Sequence, residues 1–283
     1  MNSSNDSHVR NNLLQMTDQE FAQLSSFVKT RYGIDLTQKR TMIQGRLTHD
    51  LRSRGISSFQ EYLNILDNDT SGTEITNLLN RLTTNLSYFL RENEHFDFMT
   101  KVVIPQWERT IRNHDVRIWS AGCSAGQEAY TTQMVIHEYF GSHKGTWNTT
   151  ILATDISMKV LNKARNGIYT HDELKDIPPA WKSKYFVPSG ADSLQVCDKI
   201  RREVVFKPFN LMDNINFKGG PFDLIFCRNV MIYFDTETKK KLVRRFYDWT
   251  KPGGYFFISH SESLNGLDSQ YKYVHPAIYQ KQV

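Results

Sequence analysis

Gly122 and Gly126, with Glu128 just beyond them, lie in Ile118-Trp119-Ser120-Ala121-Gly122-Cys123-Ser124-Ala125-Gly126-Gln127-Glu128. A run of strand-forming residues stops there on small side chains and restarts as a polar helix. Glycine at such a turn lets backbone approach a ligand with no Cβ in the way, and the opening N–H groups of the helix are unused donors. The spacing argues against a dinucleotide, because a pyrophosphate calls for G-x-G-x-x-G at a helix start and Glu128 would repel it. Glu128 suits instead a cationic group such as the amino group of a methionine moiety, which turns attention to S-adenosylmethionine. An ordinary tight strand-to-helix turn is the competing reading.

A second acid, Asp155, ends the run Thr150-Ile151-Leu152-Ala153-Thr154-Asp155 and is placed to take ribose hydroxyls. It comes later than the usual interval of about 20 residues, since the polar stretch 141–148 lengthens the connection. The alternative is an N-cap for a helix starting at Ser157.

Such residues need a sheet to hold them. From Val116 onward, strand candidates 116–120, 151–154, 204–206, 222–227 and 255–258 alternate with helical stretches. That is the grammar of an α/β domain with a mostly parallel sheet and helices on both faces. Segments 271–274 and 277–279 follow closely enough to add an antiparallel edge. Between the second and third strands, 167–202 is too long for a simple crossover. Its Pro178, Pro179, Pro188 and Gly190, with short runs such as Tyr185-Phe186-Val187, predict a small inserted subdomain that covers a substrate, binds a partner or is a structural embellishment.

Upstream, 17–82 reads as an all-helical domain. Phe21, Leu24, Phe27, Val28 and Tyr32 mark one amphipathic helix; Met42, Ile43, Leu47 and Leu51 mark a second. Phe59, Tyr62, Leu63 and Leu66, then Ile75, Leu78, Leu79 and Leu82, mark two more. The predicted organisation is a disordered tail over 1–16, the helical domain over 17–82, a linker and connecting helix over 83–115, kinked or restarted at Pro105, and the α/β domain over 116–283.

The 283 residues carry a formal net charge of +5, so where the charge sits matters more than its size. Lys39, Arg40, Arg46, Arg52 and Arg54 face a single acid, Asp50, in the second helix. They form either a solvated face or a docking surface for an acidic partner. No aromatic-interleaved basic stripe accompanies them, which disfavours nucleic acid. No apolar run approaches the roughly 20 residues of a membrane span, and the first ten residues lack a signal-peptide core, so the cytoplasm is the expected location. Cys123, Cys197 and Cys227 form no C-x-x-C pair and join no histidine cluster, which argues against a disulfide framework and a structural zinc site.

Further blocks carry a resemblance. Leu82-Thr83-Thr84-Asn85-Leu86-Ser87-Tyr88-Phe89-Leu90-Arg91-Glu92, the turn 120–128, Ala153-Thr154-Asp155, Phe222-Asp223-Leu224-Ile225-Phe226-Cys227-Arg228-Asn229-Val230-Met231-Ile232-Tyr233-Phe234, Gly253-Gly254-Tyr255-Phe256 and His260-Ser261-Glu262 occur in this order. Together they resemble the chemotaxis receptor glutamate O-methyltransferase family, CheR, over nearly the whole chain. The resemblance implies a Rossmann-like S-adenosylmethionine-dependent methyltransferase core, an amino-terminal all-helical domain and the inserted β-subdomain. It implies cofactor contacts from Asn85, Ser87, Arg91, Gly122, Glu128, Asp155, Asn210, Leu211, Arg228 and Asn229, and assigns Arg91 and Tyr233 to arranging the substrate carboxylate. Ser87 stands where the family often has threonine and Gln127 where it often has glutamate; the first change keeps the hydroxyl.

The implied reaction transfers a methyl group to glutamate side chains of chemoreceptors in chemotaxis adaptation. An ionised carboxylate, with an unperturbed pKa of about 4.3, attacks carbon in line with a departing sulfonium and needs no general base. The implied partner is the cytoplasmic domain of a transmembrane chemoreceptor, with Lys39, Arg40, Arg46, Arg52 and Arg54 as the counter-surface to its acidic helices. Regulators at the inserted subdomain, a monomeric state, no metal and no nucleic-acid partner complete the expectation. In some members that subdomain grips a pentapeptide at the receptor's C-terminus; the short turn Pro188-Ser189-Gly190-Ala191-Asp192 favours methylation independent of the tail. An amino-methylating enzyme is disfavoured, because Arg228-Asn229-Val230-Met231 replaces the D/N-P-P-Y/F turn. A non-catalytic S-adenosylmethionine sensor that binds receptors is the remaining alternative.

Overall fold

A computed structural model describes residues 14–83 and 86–283, in two compact units that meet between residues 84 and 85. Of the tail expected over 1–16, residues 1–13 lie outside the described residues, and Met16 is already buried.

The first unit is helical: α1 (Asp18–Tyr32), α2 (Arg40–Ser53), α3 (Phe59–Asp67) and α4 (Thr73–Leu82). Thr17 and Glu20 close a capping box at the start of α1, and Gly33 ends it in the left-handed region, so both helix ends are satisfied locally. Leu24, Val28, Ile43, Leu47, Leu51, Tyr62, Leu66 and Leu78 are buried. Each side chain fully removed from water contributes about 1.5–3 kcal/mol. Met42, expected on the inward face, is turned out to solvent at 37% exposure.

The second unit opens with α5 (Glu94–Phe98), a π turn (Met99–Val103) and α6 (Ile104–Thr110). Pro105 has no N–H to give, and the path widens into the π turn before restarting, so Phe96, Met99, Val103 and Trp107 all reach the core. There follow β1 (Ile118–Ala121), α7 (Gln127–Phe140), β2 (Ile151–Asp155), α8 (Met158–Asn166), β3 (Ile168–Thr170), α9 (Pro179–Tyr185), β4 (Phe186–Pro188), β5 (Ser193–Val196), α10 (Asp198–Arg201) and β6 (Val204–Pro208). The chain ends with β7 (Phe222–Phe226), a 3-10 turn (Met231–Tyr233), α11 (Thr236–Asp248), β8 (Thr250–Phe257), β9 (Lys272–His275) and β10 (Ile278–Gln280).

Seven strands form one sheet in the order β6-β2-β1-β7-β8-β10-β9. The first five are parallel, with Ile118 opposite both Ile151 and Leu224; β10 runs antiparallel to β8 and β9, giving the expected edge. Since right-handed crossovers put their helices on opposite faces when strand order reverses, the reversal between β1 and β7 opens a crevice at their carboxyl ends. The insertion is a separate three-stranded sheet, β3-β5-β4. It is tied down where Tyr169 Oη donates to the Ala125 carbonyl at 2.5 Å and the Phe89 ring stands edge-on to Tyr169 and Phe186. Below the crevice, Trp119 is fully buried, donates to Thr154 Oγ1 at 2.9 Å and is ringed by Phe209, Phe217, Phe222 and Phe246.

Candidate active site

Two loops meet over the crevice. In the first, after β1, the Gly122 and Cys123 N–H groups both donate to the Thr154 carbonyl, at 2.8 and 2.9 Å, tying the turn to the end of β2. Asp155 then organises that end: its Oδ2 accepts the Ser124 N–H and its Oδ1 the Ser157 N–H, each at 2.9 Å. Ser157, not Asp155, caps α8, its hydroxyl accepting the Val160 N–H. Burial pushes the Asp155 carboxyl up, against the pull of those N–H donors. Gly122, at φ +82°, is required by the protein itself: a Cβ there would lie 2.4 Å from Val230 Cγ2. The close approach expected toward a ligand is therefore first an approach to the second loop.

That second loop, 228–233, follows β7. The Arg228 side chain, only 3% exposed, lies between two carboxylates, with Nη1 3.2 Å from Glu128 Oε2 and Nε 3.3 Å from Glu92 Oε2; it also donates to the Arg91 carbonyl. The other oxygen of Glu128 accepts the Ser120 hydroxyl at 2.6 Å. Glu128, expected to hold a ligand's ammonium, thus already holds the chain's own guanidinium; burial pushes its carboxyl up while Arg228 pulls it down. The network continues from Glu92 Oε1, which accepts the Ser259 hydroxyl at 2.8 Å, to Ser259 Oγ, which accepts the Asn229 side-chain amide at 2.7 Å. Glu92, Ser120 and Ser259 had no role in the sequence reading. Glu92 stood inside a recognised block, but nothing local showed that its partner was 136 positions away.

The remaining candidates gather around these loops. Asn85 lies outside the described residues, and Ser87 is half-buried. Arg91 donates to the Leu86 carbonyl at 2.7 Å and lies over the Tyr88 ring. Asn210 makes a side-chain turn with the Met212 N–H at 3.0 Å, and neighbouring Leu211 is buried. Both are brought beside Asp155 by the Phe209 N–H, which donates to the Asp155 carbonyl at 3.0 Å. Tyr233 is half-buried at the end of the 3-10 turn. Cys123 and Cys227 are buried and their thiols pushed well up, which suits packing rather than nucleophilic attack. Glu92, His95 and His260 bring potential ligand atoms within 4.8 Å of one another. A cation there would meet Arg228, which already occupies the Glu92 carboxylate.

In the helical unit the basic residues are more committed than their spacing suggested. Arg40 pairs with Asp18, Arg54 with Glu74 at 2.7 Å and Asp50 at 3.4 Å, and Arg46 donates to the Arg81 carbonyl at 3.0 Å. Arg46 and Arg52 remain exposed. Asp50, the lone acid of that stretch, is buried and also pairs with Arg81.

The strand order, with its reversal between β1 and β7, defines a Rossmann-like domain. Residues 85–279 match the family model described as CheR methyltransferase, SAM binding domain, and residues 19–83 match CheR methyltransferase, all-alpha domain. A protein named chemotaxis protein methyltransferase from Borreliella burgdorferi is 39% identical over 272 residues, covering 95% of this chain and 96% of its own. One of the same name from Escherichia coli is 38% identical over 270 residues, covering 92% and 91%. Among solved structures, an S-adenosylmethionine-dependent methyltransferase from Methanosarcina mazei matches 54% of this chain and 56% of its own at 14% identity, with a TM-score of 0.31. The chain belongs to the CheR methyltransferase family, and its cofactor is S-adenosylmethionine.

Proposed function

We propose that this chain transfers a methyl group from S-adenosylmethionine to glutamate side chains of chemoreceptor cytoplasmic domains, as a cytoplasmic enzyme of chemotaxis adaptation. The observation that carries this reading is the placement of Glu128 in the first turn of the helix after β1 and of Asp155 at the end of β2, in a chain of this family. The residues present fit the cofactor. Asp155 is a half-buried acceptor at the strand end, Leu211 is an apolar wall beside the polar Asn210, and the buried Gln127 Oε1 accepts no bond within the described residues. When bound, the cofactor supplies a methyl group on a positively charged sulfur. Asp155 would take its ribose hydroxyls, Glu128 its ammonium and Arg91 its carboxylate; Ser87, Asn85, Gly122, Asn210, Leu211, Arg228 and Asn229 would line the rest.

The chain's own contribution is alignment. A glutamate nucleophile is ionised near neutral pH, so no residue need remove a proton. Tyr233 orients that carboxylate by a single hydroxyl that leaves most of the negative charge on the attacking oxygen, and Arg91, held on the Leu86 carbonyl and engaged by the cofactor's acid group, marks where the two reactants meet. Alignment of two reactants at near-attack distance contributes about 7–11 kcal/mol. The acidic helices of a receptor would dock on α2, where Lys39, Arg40, Arg46, Arg52 and Arg54 lie. Regulators would engage the inserted sheet, and the working form is a monomer.

Incubating the protein with tritiated S-adenosylmethionine and a purified receptor cytoplasmic fragment tests the reading. Label in the fragment that is released as methanol by mild alkali supports a glutamate ester. Alkali-stable label would point to methylation of nitrogen, and cofactor binding without label to a sensor.

A further inference from the structure

We propose that Glu262, outside every role given above, is a positioning residue for methyl transfer: its carboxylate fixes loop 228–233 through backbone N–H bonds and so presents Tyr233 to the substrate. The inference rests on the function proposed above. Glu262 Oε2 accepts the Asn229 N–H at 3.1 Å and the Ser259 N–H at 2.9 Å, and Oε1 accepts the Ile232 N–H at 3.2 Å. The Met231 N–H adds to the same favourable field, against a burial that pushes the carboxyl up. One side chain beyond β8 thereby gathers the amide groups of a loop some 30 residues earlier, every bond to main chain and every one requiring an acceptor.

The loop needs such an anchor. Asn229 sits at φ +59°, a left-handed conformation that asparagine adopts more readily than most residues and that sets the sharp turn of the loop. Its side chain is fixed separately, on Ser259. Val230 is pressed against Gly122, and Arg228 is held by Glu92 and Glu128. The first half of the loop therefore has side-chain anchors of its own, whereas the 231–233 turn that carries Tyr233, closed internally by the Tyr233 N–H on the Val230 carbonyl at 3.3 Å, is tied back at Ile232 by Glu262. Two acceptor oxygens are essential to this arrangement. Glutamine would turn an NH2 toward at least one N–H, replacing attraction by repulsion.

A purely structural Glu262 would, on substitution, lower stability, cofactor affinity and turnover together. A positioning role acting through Tyr233 separates them. With tritium transfer to receptor fragment as the assay, Glu262→Gln is expected to lower kcat at least tenfold while the S-adenosylhomocysteine Kd, measured by calorimetry, stays within threefold. In a Tyr233→Phe background the same change should lower kcat by less than threefold further, since the group it positions is gone. Multiplicative losses, or parallel loss of affinity and kcat, would overturn the role. Should Glu262→Gln not fold, Glu262→Asp keeps both acceptors one methylene short and should show the same coupling to Tyr233→Phe. Independently of turnover, hydrogen exchange of the unmodified protein should find the Asn229, Ile232 and Ser259 amides protected like those of β1, and exchange at exposed-loop rates would overturn the clamp. A wild-type chain that labels no fragment refutes the parent reading; an active one with multiplicative variants refutes the positioning role alone.

Discussion

Glu128 Oε2 and Arg228 Nη1 lie 3.2 Å apart, the first at the start of the helix after β1 and the second on the loop after β7. This contact spans the switch point of the sheet and joins two segments 100 positions apart. Glu92 approaches the same guanidinium at 3.3 Å, so Arg228 has one positive charge between two acids.

Replacing Glu128 by Gln keeps the shape and the Ser120 bond but removes one of those charges. Losing a charged hydrogen bond in a partly buried site costs about 1.5–3 kcal/mol. Urea unfolding should show a stability loss toward the lower end of that range, because Glu92 still balances Arg228. Calorimetry should show at least tenfold weaker S-adenosylhomocysteine binding. An unchanged Kd would mean that Glu128 serves the fold and not the cofactor.

The packing of Gly122 on Val230 predicts a paired outcome. Gly122→Ala places a Cβ 2.4 Å from Val230 Cγ2 in a backbone conformation at φ +82° that alanine adopts reluctantly. Overpacking and strain of this kind each cost about 1–3 kcal/mol. Adding Val230→Ala should recover the overpacking part but not the strain, so the double variant should melt between Gly122→Ala and wild type. Additive melting losses would sink this account.

Acid sensitivity should trace in part to His95. Its ring is fully buried, packs against Phe257 and His260, and is pushed down to about 2 by burial and by the nearby Arg228. An unfolded chain takes up a proton on this group near its ordinary pKa of about 6.5 while the folded chain does not. Stability is therefore full above that value and falls as pH drops below it, by about 1.4 kcal/mol per unit for one such group. His95→Phe should flatten the decline of the urea midpoint between pH 6.5 and pH 4.5 relative to wild type; identical slopes would assign the decline elsewhere.

For the charge proposed to face the receptor, the pairing pattern selects the variants. Arg54→Glu would set a third carboxylate beside Asp50 and Glu74 and unsettle the helical unit. Arg46→Glu with Arg52→Glu avoids that. The pair should raise the KM for receptor fragment several-fold at low salt and less at high salt, as screened surface charges do. S-adenosylhomocysteine affinity should not change. Equal loss of both would show that these arginines maintain the fold.

The sheet was legible from the sequence because its strands are short apolar runs cut off by glycine, proline and polar residues. The strand expected over 204–206 runs on to Pro208, and the largest difference lies further along the chain. The last parallel strand, expected over 255–258, begins at Thr250 and takes in Pro252, Gly253 and Gly254. The chain crosses them by an irregular stretch in which the Gly253 N–H donates to the Lys281 carbonyl and the Lys281 N–H to Gly254. Both loops of the site were legible as motifs, but their internal wiring was not. Which carboxylate holds Arg228, and which residue crowds Gly122, depends on contacts between distant segments that periodicity cannot express. The same limit hid the burial of Asp50 and the commitment of Arg40 and Arg54, whose spacing alone read as a free basic face.

Tyr169, in the first strand of the inserted sheet, gives its hydroxyl to the carbonyl of Ala125 inside the glycine turn. What looks like an accessory hung on a crossover is thus soldered to the turn proposed to seat the cofactor. A force applied to the appendage, by a bound peptide or a neighbouring protein, would be felt first at that seat, and cutting the appendage away would leave the turn without its brace.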